Sequence, residues 1–154
     1  MSKTTAKKPA TNPTVTALEG LLADSYTLYL KTHSYHWNVT GPMFSTLHAL
    51  FMTQYSELAL AVDEVAERIR ALGAKSPGSY TQFAARSSVR EDTGAPKALD
   101  MIANLVADQA KVVASARALI QAADDAGDDA SMDLGVRRVN VHEKNAWMLR
   151  SHLE

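Results

Sequence analysis

Tyr35-His36-Trp37-Asn38-Val39-Thr40-Gly41-Pro42 is the stretch that sets the fold. Gly41 tolerates left-handed backbone angles and so ends a helix, while Pro42 suits the first turn of the next one. Downstream, Phe44, Leu47, Phe51, Tyr55, Leu58, Val62, Val65, Ile69 and Leu72 recur at steps of three and four. That period predicts one long amphipathic helix, closed by Gly73. Upstream, Thr16-x-x-Glu19 reads as a capping box, followed by Leu18, Leu21, Leu22, Leu28 and Tyr29, and predicts a first helix running to about Val39. The two helices then form an antiparallel hairpin with its turn at Gly41-Pro42.

The hairpin carries a candidate metal-binding set. His36 lies five residues before Gly41 and His48 six after Pro42, so the two imidazoles sit at similar height near the turn. Asp63 and Glu67 are spaced i, i+4 and share a face of the second helix. Imidazole and carboxylate together suit iron, manganese or zinc. From His48 to Asp63 is fifteen residues, roughly 22 Å of helix at about 1.5 Å per residue. No single metal bridges that gap. Two half-sites result, and an isologous two-fold pairing of hairpins would complete both at once. A structural alternative stays open: the histidines could be ordinary polar residues, and Asp63 and Glu67 a solvated face shared with Arg68 and Arg70.

The remainder of the chain predicts an all-α protein. A length of 154 residues allows one domain with a real core. Residues 1–13 read as a disordered tail containing Lys3, Lys7 and Lys8, ahead of a domain spanning 14–154. No apolar stretch follows those lysines, so the tail is neither a signal peptide nor a membrane span, and the cytoplasm is the expected compartment. Residues 74–94 form a long connection holding Pro77, Gly78 and Gly94, within which Tyr80 to Ala85 could make a short helix. Pro96 opens a third helix with Leu99, Ile102, Val106, Val113 and Ile120 inward; Gly127 breaks the chain. A fourth helix runs from about Asp129 to Ser151 with Val136, Val139, Trp147 and Met148 inward. Four long helices with one long crossover make a ferritin-like four-helix bundle. A net charge of −1 excludes a basic nucleic-acid-binding body, and the absence of cysteine excludes disulfides and thiolate metal sites.

His33-Ser-Tyr-His36-Trp37-Asn38-Val-Thr-Gly41-Pro-Met-Phe44, then Leu47-His48, then Asp63-Glu64-Val-Ala66-Glu67-Arg68-Ile69, resembles the Dps proteins, the mini-ferritins known as DNA-binding proteins of starved cells. Glu143-Lys-Asn-Ala-Trp147-Met-Leu-Arg-Ser-His-Leu is similar to the family's last helix, so the resemblance covers nearly everything from residue 15 onward. It implies a hollow homododecamer that oxidises Fe(II), preferably with hydrogen peroxide, and stores ferric mineral. It also implies iron at the two-fold interface, with His36 and His48 from one subunit and Asp63 and Glu67 from the other. Trp37 carries over as the aromatic residue beside the oxidation site. One position departs from the pattern: the family usually has an acid four residues after His48, and here stands Met52. A thioether is a poor ligand for hard iron, so the second iron position is expected to be weak. The resemblance further implies that Asp124, Asp125, Asp128, Asp129 and Asp133 line an iron-entry pore; capping of the fourth helix by Asp128 or Asp129 is the structural alternative. Lys3, Lys7 and Lys8, multiplied over twelve tails, would hold DNA by avidity. The competing readings are a DNA-coating nucleoid protein with a vestigial metal site, and a scavenger that binds zinc or another divalent ion without turnover.

Overall fold

A computed structural model of the chain describes residues 11–154. Among these, α1 (Pro13–Asn38), α2 (Phe44–Ala71), α3 (Tyr80–Arg86), α4 (Ala98–Ala126) and α5 (Asp129–Arg150) are the helices, with no strand. Long helices α1, α2, α4 and α5 make the bundle; α1 packs on α2 and α4, and α4 on α5. The short α3 interrupts the crossover and rests on α1, where Phe83 stacks on Tyr26 at 4.8 Å between ring centroids.

The helix ends show where local sequence governs. Asn12 caps α1 by accepting from the amides of Thr14 and Val15, with Pro13 in the first turn. The expected capping box therefore lies a turn too late: Thr16 is already helical and donates to the Asn12 carbonyl. Its Glu19 faces Arg86 at 3.6 Å instead. The expected tail boundary also moves, because Asn12 and Pro13 belong to the helix start; residues 1–10, with Lys3, Lys7 and Lys8, lie outside the described residues. Gly73 and Gly127 adopt φ of +85° and +66°, as left-handed helix ends require. Pro96 precedes α4 without opening it; Lys97 is the cap residue. Asp128 caps α5 through the Ser131 amide.

Leu18, Leu21, Leu28, Leu47, Phe51, Leu58, Val65 and Ile69 are buried, as the periodicity of the first two helices predicts. Several other positions depart from the expected pattern. Phe44, Leu99, Val136 and Trp147 are exposed, Trp147 by 60%. On α4 the expected Ile102 is buried, but the stripe otherwise runs through Met101, Leu105, Val112 and Leu119, leaving Val106 on its flank. On α5 the reason is chemical: its buried face runs Leu134, Arg138, His142, Ala146 and Leu149, so an apolar pattern could not locate it. Helices α4 and α5 also approach closely at Gly135, where a Cβ would stand 2.8 Å from Ile120 Cγ1 and 3.1 Å from the Ala116 carbonyl.

At the centre of this bundle lies a buried polar layer. The His142 ring has no exposed surface. Its Nε2 faces Arg138 Nη2 at 3.0 Å, and a guanidinium can only donate, so Nε2 accepts. Nδ1 therefore carries the hydrogen and donates to Gln109 Oε1 at 2.6 Å. Burial first, and the Arg138 charge second, push the imidazole down to about 3 from an ordinary value of 6.5. Proton binding sets the direction of the pH dependence. Below about pH 6.5 the unfolded chain takes a proton that the folded chain refuses, so stability is full above that pH and is lost on the way to about 3. The loss is on the order of a few kcal/mol, at about 1.4 kcal/mol for each pH unit between those two values. Urea unfolding at pH 7 and pH 4.5 checks it. His142→Gln, which can keep both hydrogen bonds, is expected to lose less stability across that window than wild type; equal losses would remove His142 as the cause.

Candidate metal centre

His36 and His48 meet across the Gly41-Pro42 turn. Their rings stack at 3.7 Å between centroids with planes 19° apart. Each supports the other through the backbone: His36 Nδ1 lies 2.7 Å from the His48 carbonyl and His48 Nδ1 lies 2.8 Å from the His36 carbonyl. A carbonyl only accepts, so both Nδ1 atoms carry hydrogen and both Nε2 atoms keep a lone pair. The His36 carbonyl belongs to the last turn of α1, where carbonyls lack an intrahelical partner. This is the arrangement that fixes the tautomer and aim of a metal-binding imidazole.

Around the pair lies an aromatic cluster. His33 stacks on Tyr55 at 4.1 Å between ring centroids and meets Trp37 at a tilt, 4.0 Å between centroids. Burial, then the neighbouring His36, lowers its basicity. Trp37 remains 58% exposed. Met52, one turn beyond His48, is also exposed and supplies only a thioether to that side. Tyr35 braces the same end of α1 from behind, donating to Asp92 and accepting from Asn104 at 3.1 Å.

Asp63 and Glu67 lie further along α2, both exposed. The arginines that could have neutralised them act elsewhere. Arg68 pairs with Asp128 at 2.7 Å and donates to Ser131 at 2.9 Å. Arg70 donates to the Ala74 carbonyl at 2.9 Å. Arg137 forks onto Glu64 at 2.6 and 3.0 Å, which holds that carboxyl below its usual range. Among the described residues no lysine or arginine forms an ion pair with Asp63 or Glu67. The chain thus brings the histidines together and the carboxylates together, and holds the two groups apart along one unbroken helix. Among the described residues no three His, Asp or Glu side chains converge as a metal-binding group.

The acidic turn between α4 and α5 is only partly free. Asp128 caps α5 and pairs with Arg68, Asp133 pairs with Arg137 at 2.9 Å, and Asp125 accepts from Gln121 at 2.9 Å. Asp124 and Asp129 are exposed. No helix among the described residues is long and apolar enough to cross a membrane.

Residues 15–154 match the family model for the ferritin-like domain. The DNA protection during starvation protein of Brevibacillus brevis is 34% identical over 86% of this chain and 89% of its own length. The chain belongs to the Dps family. The crystal structure of a Dps protein from Bacillus brevis superposes with a TM-score of 0.91 at 32% identity, covering 97% of this chain and 100% of that one. The Vibrio cholerae Dps structure, described as a member of the ferritin-like diiron-carboxylate superfamily, gives 0.88 at 31% identity over 92% and 89%. The expected all-α ferritin-like bundle therefore stands. The buttressed histidine pair forms within the chain itself, with Asp63 and Glu67 standing further along α2.

Proposed function

We propose that this Dps chain oxidises Fe(II), with hydrogen peroxide as the preferred oxidant, at sites completed between two subunits, and stores the ferric product inside a hollow shell of twelve. The observation that carries the reading is the pair of Nε2 lone pairs fixed at the His36–His48 end, together with two uncompensated carboxylates, Asp63 and Glu67, held too far along α2 to join them. An isologous two-fold contact would complete two equivalent sites, each with imidazoles from one chain and carboxylates from its partner. Anionic oxygens favour Fe(III) over Fe(II), so iron held there loses its electron more readily than iron in water. Two Fe(II), one hydrogen peroxide and two protons give two Fe(III) and two waters, which consumes peroxide without releasing hydroxyl radical. Exposed Trp37 borders the site from the His36 side. Asp124 and Asp129, the acids of the α4–α5 turn without a described partner, are the leading members of a cation-drawing pore if copies of that turn meet around a symmetry axis. Protection of DNA from oxidative damage in the cytoplasm would follow from removing both reactants.

The test is anaerobic mixing of Fe(II) with hydrogen peroxide. Consumption of two Fe(II) per peroxide, well above the protein-free rate, is expected. A rate equal to that background would overturn the reading. One observation favours a second reading: Met52 leaves His48 without a neighbouring carboxylate, as a vestigial metal site would. A DNA-coating protein would then bind DNA through Lys3, Lys7 and Lys8, and deletion of residues 1–13 would abolish retention at low salt.

A further inference from the structure

Between α2, α4 and α5 lies a second set of metal-competent groups that the proposed inter-subunit site does not use, running from buried His142 out to Glu57, whose side chain is 39% exposed. Glu57 on α2 receives both Nη atoms of Arg138 on α5, one of them at 3.0 Å. The same guanidinium donates to His142 Nε2 at 3.0 Å. Gln109 on α4 holds the other imidazole nitrogen at 2.6 Å, so the Nε2 lone pair is fixed toward the centre. Gln54 lies three residues before Glu57 on the buried side of α2, only 2% exposed, and both atoms of its amide lack a hydrogen-bond partner among the described residues. Gln109 Nε2 and Arg138 Nε are likewise buried without one.

Bundles of this architecture commonly build metal sites at their centre from carboxylates and imidazoles on facing helices. Here a carboxylate on α2 and an imidazole on α5, oriented by an acceptor behind it, meet across one arginine, and an unpartnered buried amide lies one helical turn before the carboxylate. We propose that the Arg138 guanidinium is a built-in cation that closes the bundle centre to divalent metal, and that Glu57, His142 and Gln54 form a latent metal site opened by its removal. The exclusion is both geometric and electrostatic. A planar guanidinium matches a carboxylate edge to edge, so it occupies both Glu57 oxygens while one further N–H takes the imidazole lone pair. A metal ion would have to displace the buried guanidinium from the carboxylate and the imidazole that accept from it, which is strongly unfavourable. The consequence is that metal held by this chain is directed to the histidine and carboxylate half-sites at its surface, where a second copy controls access.

Equilibrium dialysis against Co(II), with its visible absorption as signature, tests this without requiring any oxidation. Binding to the inter-subunit groups is common to all variants and cancels in the comparison, so the outcome is independent of the proposed iron chemistry. Arg138→Ala is expected to bind one more Co(II) per chain than wild type, and Arg138→Ala/His142→Ala to lose that gain. Arg138→Lys, which keeps a cation in the layer, is expected to gain none. A folded Arg138→Ala that binds no extra Co(II), or a gain that survives loss of His142 or appears equally in Arg138→Lys, would overturn the proposal. Should Arg138→Ala fold only with metal, its refolding yield in Co(II) reads the same occupancy. Refolding that Co(II) does not improve would equally overturn it.

Discussion

Oligomers co-assembled from equal amounts of a His36→Ala/His48→Ala chain and an Asp63→Asn/Glu67→Gln chain are expected to recover about a quarter of the wild-type rate of peroxide-driven Fe(II) oxidation. Either chain alone should sit near the protein-free background, because each lacks one half of every site. The quarter follows from isologous pairing. Random association makes about half of the two-fold pairs mixed, and each mixed pair carries one complete site and one doubly deficient site. A site built within one chain could recover nothing on mixing, since every chain would remain defective. Single Asp63→Asn should already slow the reaction by at least about 10- to 100-fold, as loss of an anionic ligand exceeds the effect of losing a group that merely orients one. Co-expression of differently tagged chains, purification through both tags and stopped-flow measurement give the comparison. Mixed oligomers that assemble yet stay at background would overturn the inter-subunit location.

The hairpin that carries this prediction was legible because its signals are local. Gly41-Pro42 marks a turn whatever surrounds it, and the apolar positions of α2 from Leu47 to Ile69 repeat at helical spacing. Height along a helix follows from residue count, so fifteen residues already separate His48 from Asp63. The mutual exchange of Nδ1 hydrogens and carbonyls between His36 and His48 was out of reach, since it depends on the relative rotation of two helices. The misreading of α5 has the opposite origin. Val136 and Trp147 are its conspicuous large apolar residues, yet Arg138 and His142 occupy the buried face. A buried arginine is tolerable only when Glu57 and His142 accept from it, and a single sequence does not announce a partner 81 residues away. Leu99 misled for a simpler reason: in the first turn of α4 it points away from the stripe through Met101, Leu105 and Val112.

Contacts of that long-range kind also hold the crossover, and Asp24 is where they converge. Its carboxylate is 1% exposed and accepts from the Ser87 hydroxyl at 2.9 Å, the Ser88 amide at 2.6 Å, the Ser88 hydroxyl at 2.9 Å and the Val89 amide at 3.2 Å. The Ser115 hydroxyl on α4 completes the set. One side chain thus ties the crossover and α4 to α1. The neighbouring crossover residues then brace the histidine end of the same helix: Lys31 donates to the Arg90 carbonyl at 3.1 Å, and Tyr35, beside His36, donates to Asp92.

Asp24→Ala is therefore expected to destabilise the protein by about 3–4 kcal/mol, because five donors lose a charged, buried acceptor and the Val89 amide keeps only the Ser87 hydroxyl. For a chain of this length that corresponds to a fall of roughly 10 °C in Tm. Asp24→Asn should cost only about 1 kcal/mol. Its retained oxygen can still serve the Ser87, Ser88 and Val89 donors now directed at Oδ1, while the Ser88 and Ser115 hydroxyls can rotate to accept from the new amide. The order wild type, Asn, Ala distinguishes the carboxylate's hydrogen bonds from mere filling of space, since Asn and Asp have nearly the same volume. Hydrogen exchange supplies the local readout: the Ser88 and Val89 amides should lose protection in Asp24→Ala well before amides of α2 near Leu58, which share no hydrogen bond with this network. If Asp24→Ala leaves Tm within about 2 °C of wild type, less than the loss of a single such hydrogen bond would produce, the crossover is held by its apolar contacts through Phe83 and Val89, and the role assigned to the carboxylate is wrong.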